Sequence, residues 1–274
     1  MSEFWKLWLT AKRLGVTLLF ALTFSSWAQT PLPRAHSHND YEQPRPLQDA
    51  LAQGFGSVEA DIWLVNGELL VAHDLKDAKP DRTLETLYLD PLRERARTNG
   101  GRIYPGGGEF TLLVDIKSEA DPTYAALRPR LIKYRDLLTR FTDSNVTPAA
   151  VTVILSGARP IAEVRAEPER WCAIDGRLAD LESNPSRFLF PLVSDSWRPM
   201  FSWFVDGKLP ANEQARLREL VQTAHAQGRR IRFWGVQDQG FAWCELRDSG
   251  VDLINTDKLV DLGSFLRTPD SPKK

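Results

Sequence analysis

The chain contains 274 residues, of which 42% are hydrophobic and 26% are charged, and its formal net charge at pH 7 is −1. This length and composition are typical of a globular protein with a sizeable core, and they exclude a largely disordered chain. Because acidic and basic residues balance, the sequence has no overall basic character, and we expect no nucleic-acid partner.

The first segment has the pattern of a secretory signal. Basic residues precede an apolar run over residues 14–24, and the small residues Ser26 and Ala28 follow it. The run is shorter than the roughly 20 residues that a membrane-spanning helix needs. We therefore predict a signal peptide over residues 1–28, a single domain over residues 29–274, no membrane span, and a periplasmic or secreted location. An uncleaved anchor is the alternative.

The chain has two cysteines, Cys172 and Cys244. Export would permit a disulfide between them. They fall in a strand-like segment, RWCAID, and a helix-like segment, GFAWCELRDSG, and no spacing brings the two together. We expect two separate thiols.

Short apolar strand segments alternate with amphipathic helix segments along the rest of the chain. The strand segments are RAHSH, SVEADIWL, TLLVDIK, AVTVILS, RWCAID, FLFPLVS, RIRFWGV and VDLINTD. Helices are predicted over residues 46–53, 84–97, 124–140, 158–165, 213–227, 241–248 and 258–266. Strict alternation predicts a parallel sheet, and eight repeats favour a closed (β/α)8 TIM barrel. No Gly-x-Gly-x-x-Gly follows the first strand, which argues against a dinucleotide site.

Carboxylates at predicted strand ends are the first candidate site residues. Glu59 and Asp61 are two positions apart in SVEADIWL, so both leave one face of the strand and can hold one cation. Asp115 and Lys117 share a face at the end of TLLVDIK, and Asp115 is a candidate third ligand. Buried carboxylates are costly without a partner, so they need a cation or basic neighbours. A set of ion pairs inside the barrel is the alternative.

Histidines follow two of the same strand segments. His36 and His38 lie in RAHSH, and His73 follows an apolar run in LLVAHD, whereas His225 lies within a predicted helix. A histidine titrates near neutral pH and can therefore give or take a proton.

This ordered set of residues resembles the glycerophosphodiester phosphodiesterase family, within the phosphatidylinositol-specific phospholipase C-like superfamily of TIM barrels. The similar segments are AH at the end of the first strand, VEADIWL, LLVAHD, LLVDIK, FWGVQD and SGVDLINTD. They extend over essentially the whole predicted domain. HSHNDY together with SVEADIWL looks most like the branch named for altered inheritance of mitochondria.

The resemblance implies an exported, metal-dependent phosphodiesterase that acts on a small phosphodiester or a lysophospholipid-like substrate as a monomer. In that scheme His36 and His73 are the catalytic base and acid, and Lys117 offsets charge on the phosphate in the transition state. The ligands of one Mg²⁺ or Ca²⁺ ion would be Glu59, Asp61 and Asp115.

One position departs from the family. Glycerophosphodiesterases follow the first histidine with an arginine that binds phosphate, and this chain has Ser37 there. Phosphate contacts would then come from His38, Asn39 or Lys117. Trp234, in FWGVQD, is either an apolar wall of the substrate pocket or a residue of the barrel core.

Two further readings stay open. His-x-His at the end of a first barrel strand also marks zinc-dependent amidohydrolases, although that scheme needs additional histidines on later strands. The other alternative is a barrel that binds a ligand without turning it over. That protein would bind a metal or ligand but would hydrolyse nothing.

Overall fold

The computed structural model describes residues 30–203 and 207–268, so the predicted signal segment, residues 1–28, lies outside the described residues. The strands found within these ranges are, in chain order, β1 (Leu32–Ser37), β2 (Phe55–Val65), β3 (Glu68–Val71), β4 (Phe110–Ile116), β5 (Arg140–Phe141), β6 (Val146–Thr147), β7 (Val151–Gly157), β8 (Ala173–Gly176), β9 (Leu192–Ser196), β10 (Arg230–Trp234) and β11 (Ile254–Thr256).

Eight of the described strands form a parallel, near-closed barrel. The order around it is β1, β2, β4, β7, β8, β9, β10 and β11, and β11 pairs with β1. A bridge between Arg232 and Leu253 links the last two strands. Each of these strands corresponds to one predicted segment, and the (β/α)8 barrel is confirmed.

The other strands form hairpins outside the barrel. β3 pairs with β2 in antiparallel register, with Ile62 opposite Val71, and this hairpin carries the chain to His73. β5 and β6 make a short second hairpin. The predicted strands do not include β3.

Helices connect the barrel strands. They are α1 (Gln48–Ala52), α2 (Asp90–Thr98), α3 (Ala120–Lys133), α4 (Ile161–Ala166), α5 (Leu178–Ser183), α6 (Trp197–Met200), α7 (Ala211–Ala226), α8 (Gly240–Ser249) and α9 (Leu259–Arg267). A π-helical turn, Glu85–Leu89, precedes α2.

The third predicted helix, over residues 124–140, is wrong at its carboxyl end. α3 stops at Lys133, because Leu137 and Thr139 make backbone hydrogen bonds with Val151 on β7. Pairing with the barrel edge therefore overrides the local helical pattern. The short helices α5 and α6 were not predicted.

The two faces of β2 show how the barrel separates its core from its site. Val58, Ala60 and Ile62 are fully buried in the main apolar cluster between the sheet and the helices. Alternation along the strand then places Glu59 and Asp61 on the opposite face, inside the barrel.

Two other expectations concern the cysteines and the membrane. Cys172 and Cys244 are free thiols, as expected. Among the helices of the described ranges, none is long and apolar enough to cross a membrane.

Candidate active site

A cleft of about 620 Å³ opens at the carboxyl ends of the barrel strands. Most of the residues predicted for the site line it. The full lining consists of His38, Asn39, Glu59, His73, Asp115, Ile116, Lys117, Ser156, Gly157, Ala158, Arg177, Arg232 and Trp234. Carboxyl ends of barrel strands are where TIM-barrel enzymes place their catalytic groups.

The three predicted carboxylates converge at one point. One oxygen from each of Glu59, Asp61 and Asp115 lies within 4.8 Å of the others. Their convergence follows from the parallel register, in which Asp61 pairs directly with Asp115 on β4. Elsewhere in the described residues, no group of histidine, cysteine, aspartate or glutamate is arranged to hold a metal. The histidine-based zinc site of an amidohydrolase is therefore not found there.

The absence of a side chain at Gly157 leaves space for the Asp115 carboxylate. This glycine ends β7 with a φ of 68°, and a Cβ atom there would overlap Asp115 Oδ1 and the backbone of Ile116. A residue with a side chain would thus meet both a strained backbone and a steric clash.

Glu59 is paired with a buried arginine. Arg232 Nη2 donates to Glu59 Oε2 at 2.5 Å, and His36 Nε2 lies 3.2 Å from the same oxygen. Burial alone would raise the pKa of Glu59, but the Arg232 charge and the His36 hydrogen bond outweigh it and hold this pKa well below its usual range. Glu59 is therefore ionised at neutral pH.

Asp61 is fully buried and only partly satisfied. Its Oδ2 accepts hydrogen bonds from the Tyr41 hydroxyl at 2.6 Å and from Lys117 Nζ at 3.0 Å. Its Oδ1 is buried without a hydrogen-bond partner among the described residues. Burial and then the charge of Glu59 raise the pKa of Asp61 to about 6.

Lys117 bridges two of the carboxylates. Its Nζ lies 3.0 Å from Asp61 Oδ2 and 3.0 Å from Asp115 Oδ1. Burial lowers the pKa of Lys117, but Asp115 and Asp61 outweigh burial, so this pKa lies above its usual value and the amine stays charged.

These contacts test whether the carboxylates suit a divalent cation. Arg232 and Lys117 supply two positive charges against three carboxylates, so the ion pairs leave one negative charge unbalanced. The unpartnered Oδ1 of Asp61 is a further free oxygen ligand. Hard cations such as Mg²⁺ and Ca²⁺ prefer carboxylate oxygens, so the residues present fit such an ion.

His36 lies beneath the cleft instead of on its wall. The ring is completely buried, and its two nitrogens are engaged, Nδ1 with Ser57 Oγ at 2.7 Å and Nε2 with Glu59 Oε2 at 3.2 Å. Burial and then the Arg232 charge lower the pKa of His36 to about 4. A neutral ring that donates from Nε2 to Glu59 orients this carboxylate, as ligand-positioning side chains do. The family resemblance instead implied that His36 is the catalytic base or acid.

His38 and His73 do line the cleft. His73 Nδ1 lies 3.3 Å from Asp61 Oδ2 and 3.2 Å from the Tyr41 hydroxyl, and 61% of the side chain is exposed. His38 Nδ1 lies 3.0 Å from Asp257 Oδ1 and 3.0 Å from Asn39 Nδ2. Each ring is therefore held through Nδ1, and we find no hydrogen bond from either Nε2 to a described residue.

Ser37, which replaces the family arginine, does not contact the cleft. It is fully buried and its hydroxyl donates to Asp40 Oδ1 at 2.7 Å. Asp40 also accepts from the Leu47 backbone N–H and the Tyr88 hydroxyl, so it secures the turn after β1.

Trp234 follows the Arg232 position on the same face of β10, and 43% of it is exposed at the cleft. This exposure excludes the barrel core, one of the two predicted placements, and the substrate-contacting role stays a prediction. Its indole provides an apolar surface next to the charged groups.

Several site residues were missed by sequence reasoning. Tyr41, Ser57, Arg177, Arg232 and Asp257 each contact a predicted site residue or line the cleft. A signal for Arg232 did exist, because a charged residue in the apolar strand RIRFW needs a buried partner. Asp257 follows β11 at the same barrel end, but its distance from His38 in the chain hides the pairing.

Comparison with known proteins relates this site to a family. Residues 28–101 match the family described as the AIM6-like phosphodiesterase domain. The chain is 32% identical to altered inheritance of mitochondria protein 6 from Eremothecium gossypii, over 85% of this chain and 69% of that protein. It is 28% identical to the altered inheritance of mitochondria protein 6 homolog from Arthroderma benhamiae, over 83% of this chain and 81% of that protein.

Two solved structures share the fold. One is the glycerophosphodiester phosphodiesterase from Agrobacterium tumefaciens, with a TM-score of 0.52 and 16% identity over 85% of this chain and 99% of that chain. The other is the glycerophosphodiester phosphodiesterase from Parabacteroides distasonis, with a TM-score of 0.51 and 14% identity over 86% of this chain and 98% of that chain.

Fold, cleft and matching domain together define a TIM barrel of the phosphodiesterase type. Within that class, the chain belongs to the altered inheritance of mitochondria protein 6 family, the branch that HSHNDY and SVEADIWL indicate.

The predicted periplasmic or secreted location is wrong. The relatives include proteins of the yeasts Kluyveromyces lactis and Saccharomyces cerevisiae that are named for the inheritance of mitochondria. Such relatives fit a cellular location and not a periplasmic one.

Proposed function

We propose that this chain is a metal-dependent phosphodiesterase that cleaves a small phosphodiester or a lysophospholipid-like substrate in the cleft. The observation that supports this most strongly is the convergence of Glu59, Asp61 and Asp115 beside Lys117 at the carboxyl end of the barrel. Membership of a family with a phosphodiesterase domain supports the same reaction class.

In this proposal Glu59, Asp61 and Asp115 hold one Mg²⁺ or Ca²⁺ ion. When bound, the ion would polarise a phosphoryl oxygen and offset its negative charge. Arg232 and His36 keep Glu59 ionised and oriented, and the Tyr41 hydroxyl orients Asp61.

Cationic side chains of the cleft would bind the phosphate group. Lys117 is positively charged and partly exposed in the cleft, so its Nζ can donate to a phosphate oxygen. Arg177 also lines the cleft, and its Nη1 lies 3.0 Å from Asp175 Oδ2. Asn39 adds a side-chain amide, and Trp234 would contact an apolar portion of the substrate. These residues would take over from the arginine that Ser37 replaces.

His73 would carry one of the two proton transfers that phosphodiester cleavage needs. Asp61 and Tyr41 hold its Nδ1, so Nε2 is the atom that exchanges a proton with substrate or water. The catalytic role predicted for His36 stays a prediction, and its burial supports a positioning role.

The experiment is a substrate panel with a metal control. Glycerophosphodiesters, lysophospholipids and sphingomyelin would each be incubated with Mg²⁺, Ca²⁺ or EDTA, and products followed by ³¹P NMR. We expect turnover that EDTA abolishes, and loss of turnover in Asp61→Asn. The matched control is Asp136→Asn, which alters an exposed carboxylate paired with Arg93 away from the cleft.

Two outcomes would overturn the proposal in different ways. Turnover that resists EDTA would remove the metal from the scheme. Cation binding measured by calorimetry, together with no turnover of any substrate, would favour a barrel that binds a ligand without catalysis.

A further inference from the structure

A fourth buried carboxylate lies inside the barrel, apart from the three that form the candidate cation site. Asp175 is on β8 and is fully buried. Its Oδ2 accepts hydrogen bonds from Ser156 Oγ on β7 at 2.8 Å and from Ser194 Oγ on β9. Burial raises the pKa of Asp175, and the charge of Arg177 is the largest influence that opposes burial. Arg177 is therefore the cationic partner that a buried carboxylate needs.

Arg177 is held in place through one nitrogen of its guanidinium group. Its Nη1 lies 3.0 Å from Asp175 Oδ2. The same nitrogen lies within hydrogen-bond distance of three backbone oxygens, those of Gly176 at 2.9 Å, Asp175 at 3.3 Å and Ser194 at 3.4 Å. The backbone is fixed as well, because the Arg177 N–H donates to Asp180 Oδ2 at 2.7 Å. The side chain thus has a defined position at the end of β8.

These contacts leave one edge of the guanidinium group for a bound molecule. Nε and Nη2 form that edge, which is the one that Arg93 uses to bind both carboxylate oxygens of Asp136. In Arg177, Nε makes no hydrogen bond with a described residue, and Nη2 contacts Ser156 Oγ at 3.4 Å. The side chain is 27% exposed and lines the cleft. Two parallel N–H groups on one edge match two oxygens of a phosphate group.

The register of the strands places this edge near the candidate cation site. Ser156 on β7 lies directly opposite Asp115 on β4. The contact between Nη2 and Ser156 therefore brings the open edge of Arg177 beside a strand that carries one of the candidate cation ligands. Lys117, two residues after Asp115, lines the same cleft.

We propose that Arg177 binds the phosphate group of the substrate through Nε and Nη2, and that Asp175 is the positioning residue that holds Arg177 for this contact. This inference rests on the proposed function. It adds to that function a buried carboxylate that does not touch the substrate. Ser156 and Ser194 hold the Asp175 carboxylate in turn.

The first test measures KM and kcat with the phosphodiester that turns over fastest in the substrate panel. Arg177→Met should raise KM by about 10–100-fold and change kcat by less than about 3-fold, because a contact made equally to substrate and transition state contributes to KM alone. Arg177→Lys should raise KM nearly as much, since an ammonium group has no planar edge with two parallel donors.

A double-mutant cycle tests whether Asp175 acts through Arg177. Asp175→Asn alone should raise KM by about 10-fold. In the Arg177→Met background the same change should cause no further rise, because the group that it positions is already absent. The double variant leaves no uncompensated charge, so it also permits the test if a lone Asp175 carboxylate prevents Arg177→Met from folding.

Chemical rescue separates this role from a purely structural one. Free guanidinium ion, at concentrations far below those that unfold proteins, should lower the raised KM of Arg177→Ala, since Asp175 can still bind it. It should not do so in Arg177→Ala combined with Asp175→Asn. The matched control is Arg159→Met, because Arg159 Nη1 donates to Asp175 O at 2.8 Å but Arg159 does not line the cleft. That variant should keep the wild-type KM.

The outcomes distinguish this inference from the proposed function. An unchanged KM in Arg177→Met, or an equal effect of Asp175→Asn in both backgrounds, would overturn the inference in an active protein. Calorimetric titration with inorganic phosphate in the presence of Mg²⁺ needs no turnover, and equal binding by wild type and Arg177→Met, or binding by neither, would also overturn it. Tighter phosphate binding by a wild type that cleaves no ester would support the assignment of Arg177 and remove the phosphodiesterase proposal.

Discussion

Arg232 Nη2 and Glu59 Oε2 lie 2.5 Å apart inside the barrel, where both side chains are almost completely buried. The pair joins β10 to β2, and His36 contacts the same carboxylate oxygen. One predicted metal ligand is thus already neutralised by a fixed positive charge. The carboxylate cluster owes its remaining negative charge to Asp61 and Asp115, which share Lys117.

Replacing Arg232 with methionine should therefore destabilise the protein, and added cations should reduce this loss of stability. Removing one partner of a buried ion pair costs about 3–5 kcal/mol, because the other charge stays buried without compensation. Mg²⁺ or Ca²⁺ should raise the melting temperature of Arg232→Met more than that of the wild type, since a bound cation would compensate Glu59.

Arg229→Met provides the control for that measurement. Arg229 is also buried, but its hydrogen-bond acceptors are neutral oxygens of Asp180, Asn184 and Pro185. The melting temperature of Arg229→Met should fall, and cations should raise it no more than they raise that of the wild type. An identical cation response in the two variants would contradict the prediction.

Tyr41→Phe should impair activity while it keeps the buried ring in place. The variant removes the hydroxyl that donates to Asp61 Oδ2 at 2.6 Å. Loss of a hydrogen bond to a charged group costs about 1.5–3 kcal/mol of stability. Loss of a group that orients a metal ligand lowers metal affinity or activity by about 10–100-fold. Calorimetric titration with Mg²⁺ and steady-state kinetics would measure both effects.

The chain offers a matched tyrosine for comparison. Tyr134 donates to Asp90 Oδ1 at 2.5 Å outside the cleft. Tyr134→Phe should lose a similar amount of stability and leave cation affinity unchanged. If cation affinity fell equally in both variants, the assignment of Tyr41 to the site would be wrong.

Gly157→Ala should displace Asp115. A residue with a side chain at a φ of 68° has a backbone cost of about 1–2 kcal/mol, and here its Cβ would also overlap Asp115 Oδ1. Gly106→Ala isolates the backbone term, because Gly106 has a φ of 67° and open space around the added Cβ. Cation affinity should fall only in Gly157→Ala. Unchanged affinity in that variant would argue against Asp115 as a ligand.

Asp40 makes the stability of the protein depend on pH. Burial raises the pKa of this carboxyl to about 6, although Ser37, Leu47 and Tyr88 all donate to it. A folded-state pKa above the unfolded value of about 3.9 means that the contribution of Asp40 is fully present below about pH 4. It is lost as the pH rises through about 6.

Asp40→Asn should remove that dependence at this position. The amide can accept from Leu47 and donate to the Ser37 hydroxyl, so the turn can keep its hydrogen bonds. Relative to wild type, the free energy of unfolding of Asp40→Asn should rise by about 2–3 kcal/mol between about pH 4 and pH 7.5. Urea denaturation at both pH values measures the difference. A constant difference would show that Asp40 keeps an ordinary pKa.

Local patterns predicted a large part of this fold. Each barrel strand has an apolar segment of the right length, and strict alternation with helices is sufficient to favour the eight-stranded barrel. Errors occurred where contacts distant in the chain compete with local pattern. The predicted helix over residues 124–140 is shortened because Leu137 and Thr139 pair with Val151.

In the candidate site, too, some features follow from local sequence pattern and others depend on contacts between distant residues. By itself the sequence determined which carboxylates share a strand face, since alternation along β2 and β4 is a local property that places Glu59, Asp61 and Asp115 at one end of the barrel. Only the tertiary structure decided how the histidines differ. His36 and His38 are two residues apart, yet Arg232 and Glu59 enclose the first, while the pairing of β1 with β11 brings Asp257 to the second. Burial and charge at a strand end come from side chains on other strands, so neighbouring positions in the sequence cannot reveal them.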